Sequence, residues 1–548
     1  FGVGLEVLSV VMILPIMAHL TGSPMSINIP FLNSIPNYTR QFGPEWSLFA
    51  DILFLIVVVL IKNSYLTWLA YKQSGFGHKV QSRISKQLFE NYLYQPFQYH
   101  ANINSSILIR NCVHEANQFN QFVILPSFTI ISEAFLIVGI AILLVVLQPY
   151  YTLVNGILLG FSFVMFNRLT GKKIIGWGSE KLKSEARRIQ LIQQSLGAIK
   201  EVKLRQSEKH FTEAYNHYNN ESARASHSYN ALQQVPRLFL EVLIYVGLLL
   251  LVVLTIATHS SISELVTALG LFAAAVYKAL PSANKVSTSY QSMKMSTPSL
   301  SNFITELNLP REQRSTLEEQ HDRIKFASEI RLNEISFSYS RENPILHDVS
   351  LVIKKGSCIG LVGESGSGKS TLLNIVLGLI KPQKGFISVD NIEIAQNMSG
   401  WQQNIGYVAQ NIYLIDDTLR RNIAFGAPDN LIDDAAIYAA LDKAHLIEFV
   451  KSLSSGLDTL TGERGVRLSG GQIQRIGIAR ALYHNPEILV FDEATSALDN
   501  STEASIMEAI ESLYRSKTII IVAHRLSTIQ KCDFIYRIEN GAVVREGH

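Results

Sequence analysis

The first half of this chain consists of apolar runs too long for a soluble protein. Crossing the ~30 Å hydrocarbon core of a bilayer takes about 20 mostly apolar residues. Six stretches meet that requirement: residues 1–20, 48–71, 121–148, 150–170, 230–258 and 264–290. Gln148, Pro149 and Tyr150 alone separate the third from the fourth, which predicts a tight hairpin. From about residue 328 onward the pattern is that of a soluble α/β domain. A mean hydropathy of +0.18 with 17% charged residues fits this mixture. It excludes both an ordinary soluble enzyme and a chain that is membrane throughout. The formal net charge of +3 gives no reason to expect a nucleic-acid partner.

Charge orients the spans. Residues 72–120 hold Lys72, Lys79, Arg83, Lys86 and Arg110, and residues 168–228 hold twelve Lys and Arg, including Lys172, Lys173, Arg187, Arg188, Lys200 and Arg205. The 21–47 loop holds only Arg40, and 259–263 holds neither Lys nor Arg. Basic loops stay on the cytoplasmic side, so both termini and the soluble domain are expected there. Leu, Ile and Ala recur through the basic loops, which favours helical extensions of the spans over disordered loops. On the outer side, Leu32, Ile35, Tyr38, Phe42 and Trp46 recur at three- to four-residue spacing. That spacing predicts a short interfacial helix within 24–46, limited by Pro36 and Pro44. Asn37-Tyr-Thr39 is a glycosylation sequon, but so is Asn500-Ser-Thr502 in the soluble domain, and we read both as chance. Cys112, Cys358 and Cys532 show no metal-ligand spacing and fit a reducing compartment. The start at Phe1, inside an apolar run and without Met, leads us to expect further chain upstream. The abrupt stop after His548 suggests a cut end there too.

The soluble part carries nucleotide chemistry. GESGSGKST, residues 363–371, fits G-x-x-x-x-G-K-[ST] between an apolar strand (358–362) and an apolar helix (371–379). Gly363, Glu364, Ser365, Gly366, Ser367, Gly368 and Thr371 would shape a cradle of backbone N–H groups for phosphates at a helix N-terminus. Lys369 would reach the β- and γ-phosphates, and Ser370 would bind Mg²⁺. EILVFDEATSALD, residues 487–499, predicts a buried strand ending in two carboxylates. Asp492 is placed to hold Mg²⁺ and Glu493 to polarise an attacking water. A merely structural acidic pair is the competing reading, and the P-loop disfavours it.

Between these lies RLSGGQIQR, residues 467–475, which closely resembles the signature of ABC ATPases. The resemblance covers 328–548. It implies that Tyr339 stacks on adenine, and that Gln410 couples nucleotide to the membrane domain and joins Ser370 and Asp492 at Mg²⁺. It further implies that Asp499 lies in a dimer-contacting loop, and that His524 senses the γ-phosphate as a catalytic partner of Glu493. Ser469, Gly470, Gly471 and Gln472 would complete the ATP site of a second subunit. One nucleotide domain and one membrane domain per chain then imply a homodimer with two hydrolysing sites. The fold class expected is multi-domain: an all-α six-helix transmembrane domain (1–296), a linker (297–327) and an α/β P-loop nucleotide-binding domain (328–548).

Six spans followed by the ATPase resemble the exporter architecture, as does GERG (462–465) before the signature, and YLYQPFQYH (92–100) resembles the start of a first coupling helix. LGAIKEVKLRQSEKHF (196–211), PRLFLEVLIYVG (236–247) and YKALPSANKV (277–286) look like the lipid-linked oligosaccharide flippases (PglK-type). The expected function is ATP-driven movement of a lipid-linked, pyrophosphate-bearing oligosaccharide from the inner to the outer side of a bacterial inner membrane, with membrane lipid as a further partner. An exporter of peptides or small amphipathic molecules is the alternative. An ATP-gated channel or regulator is a further one, disfavoured by the intact Glu493.

Charged residues inside the spans bear on the substrate. An ammonium in hydrocarbon costs from ~2.5 to over 10 kcal/mol. Lys62 lies about 21 Å along the second span at 1.5 Å per residue, and Lys278 falls at the same expected depth on the sixth, with Lys285 two turns further on. We read the three as lining one cavity for a pyrophosphate; snorkelling of each to the headgroups is the competing reading. The family resemblance places arginine here, and lysine gives up bidentate geometry. Arg237 and Glu241, four apart on the fifth span, are expected to pair with each other. Glu6, Asp51 and Glu133 are left unassigned.

Overall fold

The computed structural model describes residues 2–12, 44–147, 149–257, 262–310, 322–340, 343–494, 500–523 and 529–546. The expected interfacial helix falls almost wholly outside these, as do Asn37, residues 13–20 of the first span, and Gln148. The chain divides into two compact units. Residues 1–95 and 103–311 form the first; residues 96–102 and 312–548 form the second.

In the first unit, helices α1 (Gly2–Val11), α2 (Pro44–Leu93), α3 (Leu125–Leu147), α4 (Pro149–Gly197), α5 (Glu208–Ala257) and α6 (Ile262–Met295) overlap, wholly or in part, the six stretches expected as spans. Among the described residues, Leu48–Leu93, Ser105–Val146 and Glu208–Leu250 are long and apolar enough to cross a membrane. α2 and α5 have 50 residues each and α4 has 49, about 75 Å at 1.5 Å per residue. The hydrocarbon core uses less than half of that, so the polar 72–93, 171–197 and 208–229 segments run on as helix.

Large apolar side chains such as Leu60, Phe135 and Leu249 stand exposed on these helices, as hydrocarbon contact requires. Polar side chains instead return to their own backbone: Ser162 Oγ donates to the Leu158 carbonyl at 2.7 Å, and Asn167 Nδ2 to that of Phe163 at 2.9 Å. In lipid such bonds replace the water a polar group has lost. Where α4 meets α6 the backbones come close, since a Cβ on Gly178 would lie 2.1 Å from the Met295 carbonyl oxygen. Nearby, Tyr229 Oη and Ser292 Oγ share a 2.9 Å hydrogen bond between α5 and α6.

The expected linker does not begin at 297. Thr297–Leu307 forms helix α7 and belongs to the first unit. Leu300, Phe303 and Leu307 fall on one helical face, and Phe303 is buried with its ring stacked on Phe119 at 5.5 Å. Asn91 Nδ2 donates to the Leu307 carbonyl at 3.0 Å, tying the helix end to α2. An apolar face that finds a partner outweighs the polar composition that made this stretch look like a linker.

The second unit holds two sheets. The six-stranded one runs β10-β9-β3-β8-β7-β6, and the four-stranded antiparallel one β2-β1-β4-β5. Their strands are β1 (Glu329–Ser340), β2 (Asn343–Lys354), β3 (Cys358–Gly363), β4 (Lys384–Val389), β5 (Ile392–Glu393), β6 (Ile405–Val408), β7 (Ile488–Asp492), β8 (Thr518–Val522), β9 (Phe534–Glu539) and β10 (Ala542–Glu546). β3 pairs parallel with β8 and β9, and β7 parallel with β6 and β8. β3, β7 and β8 are nearly continuous apolar runs, buried on both faces, as parallel strands between covering layers must be. The ends of β3 and β7 thus open on one edge, where ligands bind in such sheets. Cys112, Cys358 and Cys532 are all free thiols; Cys358 and Cys532 meet at 2.9 Å between their sulfurs.

Candidate functional site

The P-loop leaves β3 at Gly363 and enters helix α8 (Lys369–Val376) through Gly368, whose φ of 106° lies in the left-handed region. A Cβ on Gly363 would stand 2.4 Å from the Ile538 carbonyl oxygen, so only glycine lets this strand end approach β9. Residues 363–367 line a cavity of about 800 Å³ together with Ile345, Ala523, Arg537 and Gly541. Lys369 is buried, and its ammonium donates to the carbonyls of Gly363 (2.7 Å) and Glu364 (2.8 Å). Burial holds its pKa below the usual lysine range, against the pull of Glu493 and Asp492. The loop carbonyls thus hold the lysine where an arriving phosphate can take it over. Ser370, next along, is exposed.

The two carboxylates stand at the end of β7. Glu493 has a φ of 49°, an unusual value for a non-glycine residue, and its amide donates to the Val522 carbonyl at 2.9 Å. A backbone outlier at the residue expected to activate water fits a site whose neighbours dictate its geometry. Gln410 Nε2 donates to Glu493 Oε2 at 2.7 Å, and Tyr407 Oη donates to Asp492 Oδ2 at 3.3 Å. Burial pushes the Asp492 carboxyl above its ordinary pKa, and neighbouring Glu493 adds to this; the Tyr407 hydroxyl and Lys369 oppose it. Burial, then the adjoining Asp492, raises the Tyr407 phenol to about 12.

Oxygen donors of this kind suit Mg²⁺, which keeps part of its shell for phosphates and water. Among the described residues no cluster of three metal-ligating side chains exists.

The signature helix α9 (Gly470–Leu482) starts at Ser469 with a full capping box. Gln472 N donates to Ser469 Oγ at 3.3 Å, and Ser469 N to Gln472 Oε1 at 2.8 Å. Ser469 and Gly470 are exposed, with Gly471 half-buried, so this helix N-terminus presents free positive potential. Tyr339 is exposed on β1, its ring edge-on to Phe337 at 5.0 Å. Asp499 and His524 lie outside the described residues.

In the first unit the lysines are not left free to line a cavity. Lys62, buried between the helices, lies 3.1 Å from Glu6 Oε1, and Lys278 lies 3.2 Å from Glu6 Oε2. Equal depth on α2 and α6 therefore brings them to one carboxylate on α1. Lys285 turns to another helix, meeting Glu133 on α3 at 2.6 Å. With only 6% of its side chain exposed, Lys62 does not snorkel; an ion pair offsets its burial. Glu6 and Glu133 are the residues that sequence reading left without a role. A signal was present, since a buried lysine demands a carboxylate within reach.

The expected Arg237–Glu241 pair does not form, and both side chains are exposed on α5. A base preceding an acid at i,i+4 is the weaker orientation on a helix, worth at most about 0.5 kcal/mol. That is too little to fix two long side chains.

A P-loop sheet with paired carboxylates and a signature helix, in one chain with membrane-spanning helices, defines a membrane-embedded ATPase. Comparison with known families agrees: the ABC transporter family matches residues 346–496, and the ABC transporter transmembrane region matches residues 8–280. The chain is 30% identical over 533 residues to the ATP-dependent lipid A-core flippase 2 of Colwellia psychrerythraea, covering 94% of this chain and 87% of that protein. It is 28% identical over 523 residues to the ATP-dependent lipid A-core flippase of Saccharophagus degradans, covering 93% and 87%. The solved structure of a bacterial Atm1-family ABC exporter with ATP bound matches with a TM-score of 0.81 at 20% identity, over 100% of this chain and 93% of that one. The chain belongs to the ABC transporter family. It is an integral membrane protein that binds and hydrolyses ATP to drive transport, with an exporter-type half-transporter fold.

Proposed function

We propose that the protein is a homodimeric flippase of a bacterial inner membrane. In this reading it moves an anionic, lipid-linked glycan from the cytoplasmic to the outer leaflet, with Mg²⁺-ATP hydrolysed by Glu493 and His524. The observation that carries the substrate class is the charge within the spans. Glu6 meets two lysines, Lys62 at 3.1 Å and Lys278 at 3.2 Å, so this three-membered cluster carries one positive charge in excess. An uncompensated cation in a membrane is costly unless an anion visits it.

The motifs at 196–211, 236–247 and 277–286 favour a lipid-linked oligosaccharide with a pyrophosphate. The relatives named lipid A-core flippases favour a phosphorylated glycolipid of another kind. Both ligands combine phosphate, sugar and apolar tails. Exposed Ser469 and Gly470 support a second subunit, whose nucleotide they would reach. The two arms of the test are ATPase stimulation in lipid vesicles by a purified polyprenyl-pyrophosphate glycan and by a lipid A-type glycolipid. Stimulation by either fixes the source, whereas stimulation by peptides or cationic drugs alone would reject the anionic-lipid reading.

A further inference from the structure

We propose that Tyr407 is a positioning residue of the nucleotide–metal site, setting Asp492 for the divalent cation. The strand register makes the placement. On β6, Tyr407 pairs with Val490 of β7, and Asp492 lies two residues further along β7. Paired residues on neighbouring strands share a face and alternate residues return to it, so Tyr407 and Asp492 are diagonal neighbours on one face. The separation of such a diagonal suits a long aromatic side chain. The tyrosine closes it, its hydroxyl reaching Asp492 Oδ2 at 3.3 Å. Among the described residues no other side chain donates to that carboxylate.

The chemistry follows from what Asp492 must do. A half-buried carboxylate beside a second carboxylate can turn between rotamers unless a neighbour holds it. The phenol hydroxyl does so by engaging Oδ2, which fixes the direction in which Oδ1 is presented. Groups that orient a metal ligand in this way typically affect metal affinity by 10–100-fold. Tyr407 and Gln410 come from one short segment and hold the two carboxylates separately, Asp492 by the first and Glu493 by the second. The proposal rests on the reading of Asp492 as a cation ligand.

The test uses the full-length protein in detergent with a non-hydrolysable ATP analogue and Mn²⁺ as a spectroscopically visible substitute for Mg²⁺. Tyr407→Phe keeps the ring and removes the hydroxyl. Its Mn²⁺ affinity, read from the electron paramagnetic resonance of bound ion, should fall about 10-fold, while binding of the analogue without metal stays at the parent value. Asp492→Asn is measured alongside and should lose more. Mn²⁺ affinity in Tyr407→Phe within threefold of the parent, with Asp492→Asn impaired, overturns the role of the hydroxyl alone. An equal loss of metal-free analogue binding in Tyr407→Phe overturns it too, because that marks a general packing role. Full Mn²⁺ affinity in Asp492→Asn overturns both the proposal and the reading beneath it.

Discussion

Gln410 donates its side-chain amide to the carboxylate of Glu493 at 2.7 Å. The residue expected to couple nucleotide to the membrane domain therefore holds the residue expected to activate water. That hydrogen bond ties the position of the carboxylate to the 410 segment.

Replacing the base is the most direct check. Glu493→Gln keeps the shape and the contact to Gln410 in modified form, but removes the group that orients and deprotonates water. ATP binding should remain near the parent value, and turnover should fall by two orders of magnitude or more, within the ~10²–10⁴-fold range for general-base loss. Measured kcat within fivefold of the parent would remove Glu493 from its assigned role.

Gln410→Ala separates hydrolysis from transport. Losing the amide removes one hydrogen bond to Glu493 and leaves the carboxylate in place, so ATP hydrolysis should persist within a few-fold of the parent. The signal passed to the membrane domain should fail, because domain closure reaches the helices as a rigid-body change. Residues 96–102, which contain Tyr99, belong to the same compact unit as Gln410, and the coupling is expected to run through the region from Tyr99 to Ile107. ATPase and lipid flipping measured in the same proteoliposomes should diverge at least 10-fold. If both fall together, Gln410 serves the chemistry and not the coupling.

Legibility in the sequence followed the range of the physics. The P-loop, β7 and the signature helix were readable because each is a local pattern with a local cause: a phosphate cradle, a doubly buried strand, a capped helix start. The spans and their polar helical extensions were readable from apolar run length and recurring Leu, Ile and Ala. Partners across helices were not. That Glu6 would take both Lys62 and Lys278 depends on which faces of α1, α2 and α6 meet. Helical periodicity placed Lys278 and Lys285 on one side, but could not reveal that two different helices, α1 and α3, stand there. Tyr407 was missed for a similar reason: its role appears only once the parallel register sets it diagonal to Asp492.

Glu6 should be more important for stability than either lysine alone. Removing it leaves two buried or half-buried ammonium groups without a counter-ion, whereas removing one lysine leaves a balanced pair. Stranding one partner of a buried ion pair costs roughly 3–5 kcal/mol, and Lys62 and Glu6 are both little exposed, at 6% and 14% of their side chains. Glu6→Ala should therefore melt well below the parent in detergent. Lys278→Ala, whose side chain is 30% exposed, should melt closer to it. The reverse order would mean that Glu6 is not the centre of this cluster.

The final prediction concerns which cation meets the substrate. The reading of Lys62, Lys278 and Lys285 as a free pyrophosphate cavity has to accommodate the carboxylate each of them meets. Arg237 meets none among the described residues, and it stands exposed on α5. A guanidinium grips phosphate with two parallel hydrogen bonds, which an ammonium cannot do. Arg237→Ala should raise the lipid concentration needed for half-maximal ATPase stimulation about 10-fold, a loss of roughly 1.4 kcal/mol in binding, with basal ATPase unchanged. Lys285→Ala should have a smaller effect, because it removes a cation already neutralised by Glu133. The Lys62→Ala, Lys278→Ala double variant should also lose flipping, with lower thermal stability, since it strands Glu6. A larger shift for Lys285→Ala than for Arg237→Ala would return the substrate contact to the lysines and leave the arginine facing a protein partner.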